Sequence, residues 1–178
     1  TRTNGLPSNN VLCLHLDREG VLWVGTSLGL ARYDGTSWRR YGKAEGLVSD
    51  SISCLLEDGE GYLWMGSDAG LMRVRKSALD AFDKARTRTL PVRAYGNPDG
   101  LPTGRCTAGF QPAAASTADG RLWFPTIKGL VFVNPARLPV NTNPPPVLIE
   151  SVWVDNELQA GNRLRTPPPR SVTVPAGK

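Results

Sequence analysis

Short apolar runs separated by polar turns dominate the first part of the chain. Each run has the length and composition of a β-strand. Residues 17–20 have turn composition, because an Asp side chain accepts backbone N–H groups and Gly adopts positive φ. Asp34-Gly35 is a hairpin signal in front of the fourth run. The pattern predicts four short antiparallel strands. They are Val11–Leu16, Leu22–Thr26, residues 30–33 and Trp38–Tyr41.

The same pattern returns twice further along the chain. The motif Gly20-Val-Leu-Trp23 reappears as Gly61-Tyr-Leu-Trp64 and as Gly120-Arg-Leu-Trp123. Residues 5–34 match residues 46–75 at 14 of 30 positions, so the chain contains an internal repeat of 41 residues. Four strands in about 41 residues is the size of one β-propeller blade. We therefore expect an all-β fold with three consecutive blades. They cover about residues 5–45, 46–99 and 100–138.

The three copies differ in length where loops are expected. The second copy carries extra residues at 75–90, where Ser77 is predicted to cap a helix over residues 78–85 before a fourth strand at 91–95. The loop at 102–118 of the third copy is also longer, and the third copy lacks a fourth strand. A missing strand is typical of a final blade that is completed from the start of the propeller. We therefore predict the C-terminal three blades of a longer ring.

A Pro-rich stretch separates the repeats from the remaining residues. Residues 139–146 are predicted to be a stiff linker. Residues 147–154 have strand composition, Asp155-Asn156 can turn a hairpin, and residues 171–174 are a further strand candidate. Residues 147–178 are therefore expected to begin a second, truncated β domain.

Composition limits the chemistry available to this chain. One His and three Cys argue against His-based catalysis and a Cys/His zinc cluster, so we predict no metal site, no cofactor and no enzymatic activity. Residues 73–93 sum to +5, which equals the net charge of the whole chain. Such a patch can bind nucleic acid or anionic lipid. The near absence of interleaved aromatic residues favours a solvated surface insertion instead, so we expect no nucleic-acid partner.

Residues that repeat with the blades are interpreted as structural. Trp side chains can stack on sugars, but a Trp at the same place in every blade is expected to pack between sheets. Asp17 and Asp58 lie in equivalent turns of different blades, so they cannot act as an acid/base pair on one bond. The structural repeat positions are Trp23, Trp64, Trp123, Gly20, Gly61, Gly120, Asp17 and Asp58.

The three cysteines are expected to be unpaired. Cys13 and Cys54 are equivalent core positions on adjacent blades, which are usually too far apart for a disulfide. Cys106 is interpreted as having no equivalent in the repeat.

The loop at residues 103–111 departs from the repeat and is the candidate ligand-binding segment. Arg105 can hold a carboxylate or phosphate, and Gln111 can bind a hydroxyl group. The alternative interpretation is an ordinary surface loop.

The repeat unit resembles the two-component regulator propeller family. The resemblance rests on Gly-Leu-Pro-Ser-Asn-Asn-Val at 5–11, Asp-Arg-Glu-Gly-Val-Leu-Trp-Val-Gly-Thr at 17–26 and Gly-Leu-Ala-Arg-Tyr-Asp at 29–34. The third copy departs from it, with Pro125 where the repeat usually has Gly. Residues 119–126, 129–130, 134–135 and 144–150 together look like the end of such a propeller, which in that family precedes an immunoglobulin-like triple-tyrosine domain.

The resemblance implies a periplasmic ligand-sensing propeller in an inner-membrane receptor. Its output would be a histidine kinase or a diguanylate cyclase outside this chain. The implied partners are an unknown small molecule or oligosaccharide and a second copy of the receptor in a homodimer. Membrane contact would come only through a segment outside this chain.

Two other functions are compatible with a propeller. Asp-x-x-Gly-x-Leu-Trp loosely resembles the Asp-box turn of sialidase-like glycoside hydrolases, although no motif groups Arg, acid and Tyr residues here. A protein-binding scaffold is the other possibility, although the Gly-His and Trp-Asp dipeptides of WD repeats are absent.

Overall fold

The computed structural model describes residues 1–107, 109, 112–138, 151–154 and 157–161. The chain divides into two compact units, residues 1–138 and residues 139–178. The first unit consists almost entirely of antiparallel β-sheet, with one α-helix and short 3₁₀ turns in its described residues. No helix in the described part of the chain is long and apolar enough to span a membrane.

The first two repeats each form a four-stranded antiparallel sheet in sequential order. Both sheets have a register shift at the same place, between Val11 and Cys13 in the first and between Ile52 and Cys54 in the second. The repeat therefore extends to the local irregularities of the backbone. The first blade contains β1 (Val11–Leu16), β2 (Leu22–Thr26), β3 (Gly29–Tyr33) and β4 (Trp38–Tyr41). The second contains β5 (Ile52–Glu57), β6 (Tyr62–Ser67), β7 (Gly70–Arg75), α1 (Lys76–Asp83) and β8 (Arg93–Tyr95).

The helix α1 begins two residues before the predicted start, and Ser77 does not cap it. The backbone N–H of Lys76 donates to the carbonyl of Gly61 at 3.0 Å, and the Lys76 side chain is buried. These anchors start the helix directly after β7, which leaves Ser77 exposed within it. The fourth strand of this blade is also shorter than predicted, because Pro91 and Val92 precede its paired residues.

The third blade has three strands in the described residues, with order β11-β10-β9. The strands are β9 (Ala115–Ser116), β10 (Leu122–Thr126) and β11 (Gly129–Val133). Its first strand is interrupted, because Cys106 forms an isolated bridge with Thr126 before the chain returns to the sheet at β9. Val11 and Ile52 pair with Thr26 and Ser67 in the same way. Our interpretation that Cys106 has no equivalent in the repeat is therefore wrong: Cys106 is the counterpart of Ile52.

The core lies between the blades, where large side chains of one sheet meet the first strand of the next. Trp23, Trp64 and Ile52 are all at most 1% exposed. The Trp64 ring lies 6.4 Å from Phe124 of the third blade and stacks on Tyr95 at 5.4 Å. This burial removes large apolar surfaces from water and holds neighbouring blades together.

The insertion of the second blade packs on the first blade. Arg32 of β3 contacts the carboxylates of Asp80 and Asp83 in α1 at 2.6 Å and 3.1 Å. The Tyr41 hydroxyl donates to Asp83 at 2.8 Å, and its ring meets Phe82 edge-on. The helix is therefore a brace between two blades and not a free surface appendage.

Replacing Tyr41 by Phe should lower the free energy of unfolding by about 2 kcal/mol, because the lost hydrogen bond has a charged, partly buried acceptor. Tyr95 is the matched control, since it holds the same position in β8 and its hydroxyl has no hydrogen-bond partner among the described residues. Tyr95→Phe should change stability by less than about 0.5 kcal/mol. Urea unfolding of both variants measures the difference, and equal losses would show that α1 does not brace the first blade.

The second unit contains an antiparallel hairpin in its described residues. Ser151–Val154 (β12) pairs with Glu157–Gly161 (β13), with a register shift between Val152 and Trp153. Residues 171–174 and the predicted linker lie outside the described residues. The immunoglobulin-like character of this unit and the division of the chain into these domains stay predictions.

Candidate ligand-binding site

The repeated Asp and Trp residues form one local unit in each of the first two blades. Asp17 accepts hydrogen bonds from the backbone N–H groups of Glu19 and Val21 and from Trp23 Nε1, each at 2.9 Å. Asp58 does the same in the second blade, with Trp64 Nε1 at 2.7 Å. Each carboxylate therefore holds its own turn closed and fixes the orientation of its own tryptophan.

The third blade replaces this unit with a weaker one. Thr117 stands in the place of the Asp, and its hydroxyl accepts from Trp123 Nε1 at 3.2 Å. Trp123 is only half-buried and packs against Phe132 at 5.0 Å. The glycines of the three turns, Gly20, Gly61 and Gly120, all have φ near +80°, which only Gly adopts without strain.

A buried lysine joins the first two blades at this end of the sheets. Lys76 Nζ contacts Glu57 at 2.7 Å, Asp17 at 3.1 Å and the more exposed Glu19 at 3.4 Å. Burial alone would lower the pKa of Lys76, but the hydrogen bonds to Glu57 and Asp17 outweigh burial and raise it. Lys76 is therefore a structural cation and not part of a basic binding patch.

The Arg73 side chain also packs inside the protein, so it is not part of an exposed basic patch. Its guanidinium lies 4.3 Å from the ring centre of Tyr62 and 5.2 Å from that of Trp64. Two of the basic side chains in residues 73–93, those of Arg73 and Lys76, therefore make internal contacts. Those that remain exposed are Arg75, Lys84, Arg86, Arg88 and Arg93.

Arg105 lies on the edge of the blades where the first strands begin. Its carbonyl accepts from the N–H of Ile127 at 3.3 Å, as the carbonyl of Asn10 accepts from Ser27 in the first blade. The Arg105 side chain is exposed and forms no ion pair with any described residue. Gln111, the second candidate, lies outside the described residues.

Arg105 belongs to a surface that we call the connector surface. It is formed by the segments that lead into each first strand and by the turns between second and third strands. In the first two blades a polar pair closes this surface, with Ser8 bonded to Ser27 at 3.0 Å and Ser49 bonded to Asp68. The residues of the connector surface include Ser8, Ser27, Ser49, Asp68, Thr103, Arg105 and Ile127.

The third blade breaks the pattern of polar pairs on the connector surface. Thr103 accepts from the N–H of Arg105 at 3.3 Å, as Ser8 and Ser49 do for their own loops. Opposite it stands Ile127, which is 59% exposed. In the third blade Thr103 and Ile127 therefore take the places of the polar pairs. The exposed Arg105 lies beside them, where the first blade has Asn10.

Sequence reasoning missed a cleft between the second and third blades. It has a volume of about 390 Å³ and is lined by residues that include Tyr95, Phe132, Asn134 and Arg137. In the first blade the corresponding space beside Tyr41 is filled by α1. The pKa of Tyr95 is raised, mainly because burial disfavours the phenolate, so its hydroxyl stays protonated at neutral pH. The sequence signal for this cleft is that the second copy of the repeat carries a helical insertion after its third strand and the third copy carries no equivalent helical segment directly after β11.

One family model matches the chain. It is described as "Two component regulator propeller" and covers residues 5–27 and 46–69. Both segments contain the first strand, the Asp turn and the second strand of a blade. Both segments are similar to the two-component regulator propeller repeat. The match does not extend to the third blade, where Thr117 and Pro125 depart from the two-component regulator propeller pattern.

Comparison with solved structures agrees with this fold. The extracellular domain assigned to a hybrid two component system of B. thetaiotaomicron superposes with a TM-score of 0.63 at 22% identity, over 76% of this chain. The chain spans 17% of the length of that domain. A second such extracellular domain from the same organism shares 19% identity over 78% of this chain and 23% of its own, but its TM-score of 0.38 is too low to establish a common fold. No curated protein matches the chain.

Proposed function

We propose that this chain is part of the extracytoplasmic, ligand-sensing propeller of a transmembrane signalling receptor. The receptor would lie in the inner membrane as a homodimer, face the periplasm with this region, and carry a histidine kinase or a diguanylate cyclase elsewhere. The observation that supports the proposal is the folding of two matched two-component regulator propeller repeats into consecutive four-stranded blades. The solved domain with the same fold is assigned to a hybrid two component system.

A sensing role fits the way in which the side chains are used. The carboxylates of Asp17 and Asp58 are buried and bonded to tryptophans, so neither is available as a catalytic acid. Trp23 and Trp64 are buried between the blades, so their rings are not free to stack on a ligand. The connector surface differs between the blades, and variation on a rigid scaffold is where binding residues are expected.

The chemistry of the third blade favours an anionic ligand. An exposed guanidinium binds a carboxylate through two parallel hydrogen bonds, which gives orientation as well as affinity. Ile127 offers an apolar surface of the kind on which the less polar face of a sugar ring packs. We therefore propose an oligosaccharide that contains uronic acid units as the ligand class, with Arg105 as the residue that binds its carboxylate.

Replacing Arg105 by Ala in the intact receptor should lower the response to an oligosaccharide of galacturonic acid by about tenfold or more, which corresponds to the loss of one charge-assisted contact. The readout is transcription or cyclic diguanylate output against ligand concentration. Arg88→Ala is the matched control, because Arg88 is an exposed arginine on the insertion. A neutral oligosaccharide of glucose controls for the charge of the ligand.

Arg137→Ala distinguishes the connector surface from the cleft. If only Arg137→Ala lowers the response, the ligand binds in the cleft and the assignment of Arg105 is wrong, although sensing stands. If no glycan changes the output of the wild-type receptor, the proposed ligand class is wrong.

A further inference from the structure

Two cysteines meet at the contact between the second and third blades. Cys54 lies on β5, and Cys106 begins the interrupted first strand of the third blade. Both contact the same glycine of β6: a methyl group added to Gly66 would overlap Cys54 Sγ and would lie 3.1 Å from both Cβ and Sγ of Cys106. The two sulfurs therefore lie against the same face of Gly66, although the cysteines are 52 positions apart in sequence.

The contact between the first and second blades has the same geometry with different chemistry. Cys13, the counterpart of Cys54, directs its thiol at the carbonyl of Ile52 at 3.6 Å. A methyl group added to Gly25, the counterpart of Gly66, would overlap Cys13 Sγ and would lie 2.9 Å from Ile52 Cγ2. Because Cys106 is the counterpart of Ile52, the second contact places a thiol where the first places an isoleucine side chain.

We propose that Cys54 and Cys106 form a disulfide that links the second blade to the third under oxidising conditions. Both thiols are free in the structure, and blade packing holds both sulfurs against Gly66. This link is independent of which ligand the propeller binds.

The two thiols differ in their access to solvent. The Cys106 residue is 7% exposed, whereas Cys54 is 0% exposed. The thiolate is the nucleophile in disulfide exchange and must reach the reagent, so Cys106 reacts first. Its thiolate attacks a small external disulfide and releases one thiolate of that reagent. The deprotonated sulfur of Cys54 then attacks the Cys106 sulfur of the mixed disulfide, which releases the second. Two protein thiols are oxidised, one external disulfide is reduced, and its two thiols carry the protons away.

The link would act beside the candidate ligand residue. Arg105 directly precedes Cys106 in the chain. A bond at Cys106 would therefore fix the backbone next to Arg105 to the second blade.

The test exposes the purified, folded chain to oxidised glutathione and then counts free thiols after denaturation. We expect one free thiol in the oxidised protein and three after treatment with dithiothreitol, with a Cys54–Cys106 cross-linked peptide in the digest. Oxidation should also raise the midpoint of thermal unfolding by several degrees, reversibly.

Cys13→Ser is the matched control, because it removes the equivalent thiol of the neighbouring blade contact. This variant should keep the cross-linked peptide and should leave no free thiol after oxidation. Cys54→Ser and Cys106→Ser should each lose the cross-link and the rise in the unfolding midpoint, and cooperative unfolding of the reduced variants shows that they fold. Three titratable thiols in oxidised wild type, mixed glutathione disulfides without a cross-link, or a cross-link that involves Cys13 would overturn the proposal.

Discussion

Replacing Lys76 by Met is expected to lower the free energy of unfolding by about 3–5 kcal/mol, the usual cost of leaving a buried charge without its partner. The Lys76 side chain is 11% exposed, while the side chains of Asp17 and Glu57 that it contacts are 0% and 8% exposed. Met keeps the length and apolar stem of Lys. The loss therefore measures the missing charge and not a cavity.

Lys84→Met is the matched control for this prediction. Lys84 follows the same helix, is exposed, and forms no ion pair with any described residue. Its replacement should change stability by less than about 0.5 kcal/mol. Equilibrium unfolding in urea at neutral pH compares the two variants. Equal losses would show that the contacts of Lys76 do not stabilise the pair of blades.

The pH dependence of stability follows from the same cluster. Burial alone would raise the pKa of Asp17, but hydrogen bonds from Trp23, the backbone of Val21 and Lys76 outweigh burial and lower it below 3.8. A carboxyl group with a lowered pKa stabilises the fold above its unfolded value. That contribution is fully present above about pH 4 to 5 and is lost as the pH falls through the folded pKa.

The periodic features of this fold are accessible from the sequence. The predicted bounds of β1, β2 and β4 match the structure, and β3 begins one residue earlier than predicted. The same three features recur in the first two blades: a buried strand, a turn stabilised by an Asp side chain, and a tryptophan that packs on the next sheet. When the same pattern occurs twice in one chain, the strand bounds predicted from one copy can be checked against the other copy.

The features that sequence reasoning missed depend on contacts between blades. The start of α1 is set by Lys76, whose partners Asp17 and Glu57 lie on two different blades. Cys106 pairs with Thr126 in an isolated bridge. The longer loop of the third copy shifts Cys106 relative to the repeat, so sequence comparison does not align it with Ile52. The net charge of residues 73–93 predicts a surface patch, because a sum of charges does not show that Arg73 and Lys76 point into the protein. Local composition carries no information on such long-range pairings.

Two equivalent glycines mark the close approach of neighbouring blades. A Cβ at Gly25 or Gly66 would meet the first strand of the next blade. A side chain at either position would therefore push the two sheets apart. The third blade has Pro125 at the corresponding position.

Replacing Gly25 by Ala should therefore cost about 3 kcal/mol, the upper end of the usual range for overpacking. The added methyl group would lie 2.6 Å from the carbonyl oxygen of Ile52 and 2.9 Å from its Cγ2, and would also overlap Cys13 Sγ. A backbone carbonyl cannot rotate away as a flexible side chain can. Relief requires the second blade to move away from the first, which weakens the packing that holds the two sheets together.

Gly59→Ala provides the control, because a Cβ at Gly59 meets no atom within 4 Å and its φ is not in the left-handed region. This change should be neutral or stabilising by about 0.5 kcal/mol, since Ala reduces the freedom of the unfolded chain. Urea unfolding of the two alanine variants gives the comparison. A neutral Gly25→Ala would mean that the first two blades are not in direct contact at their inner strands, and the blade packing described above would have to be abandoned.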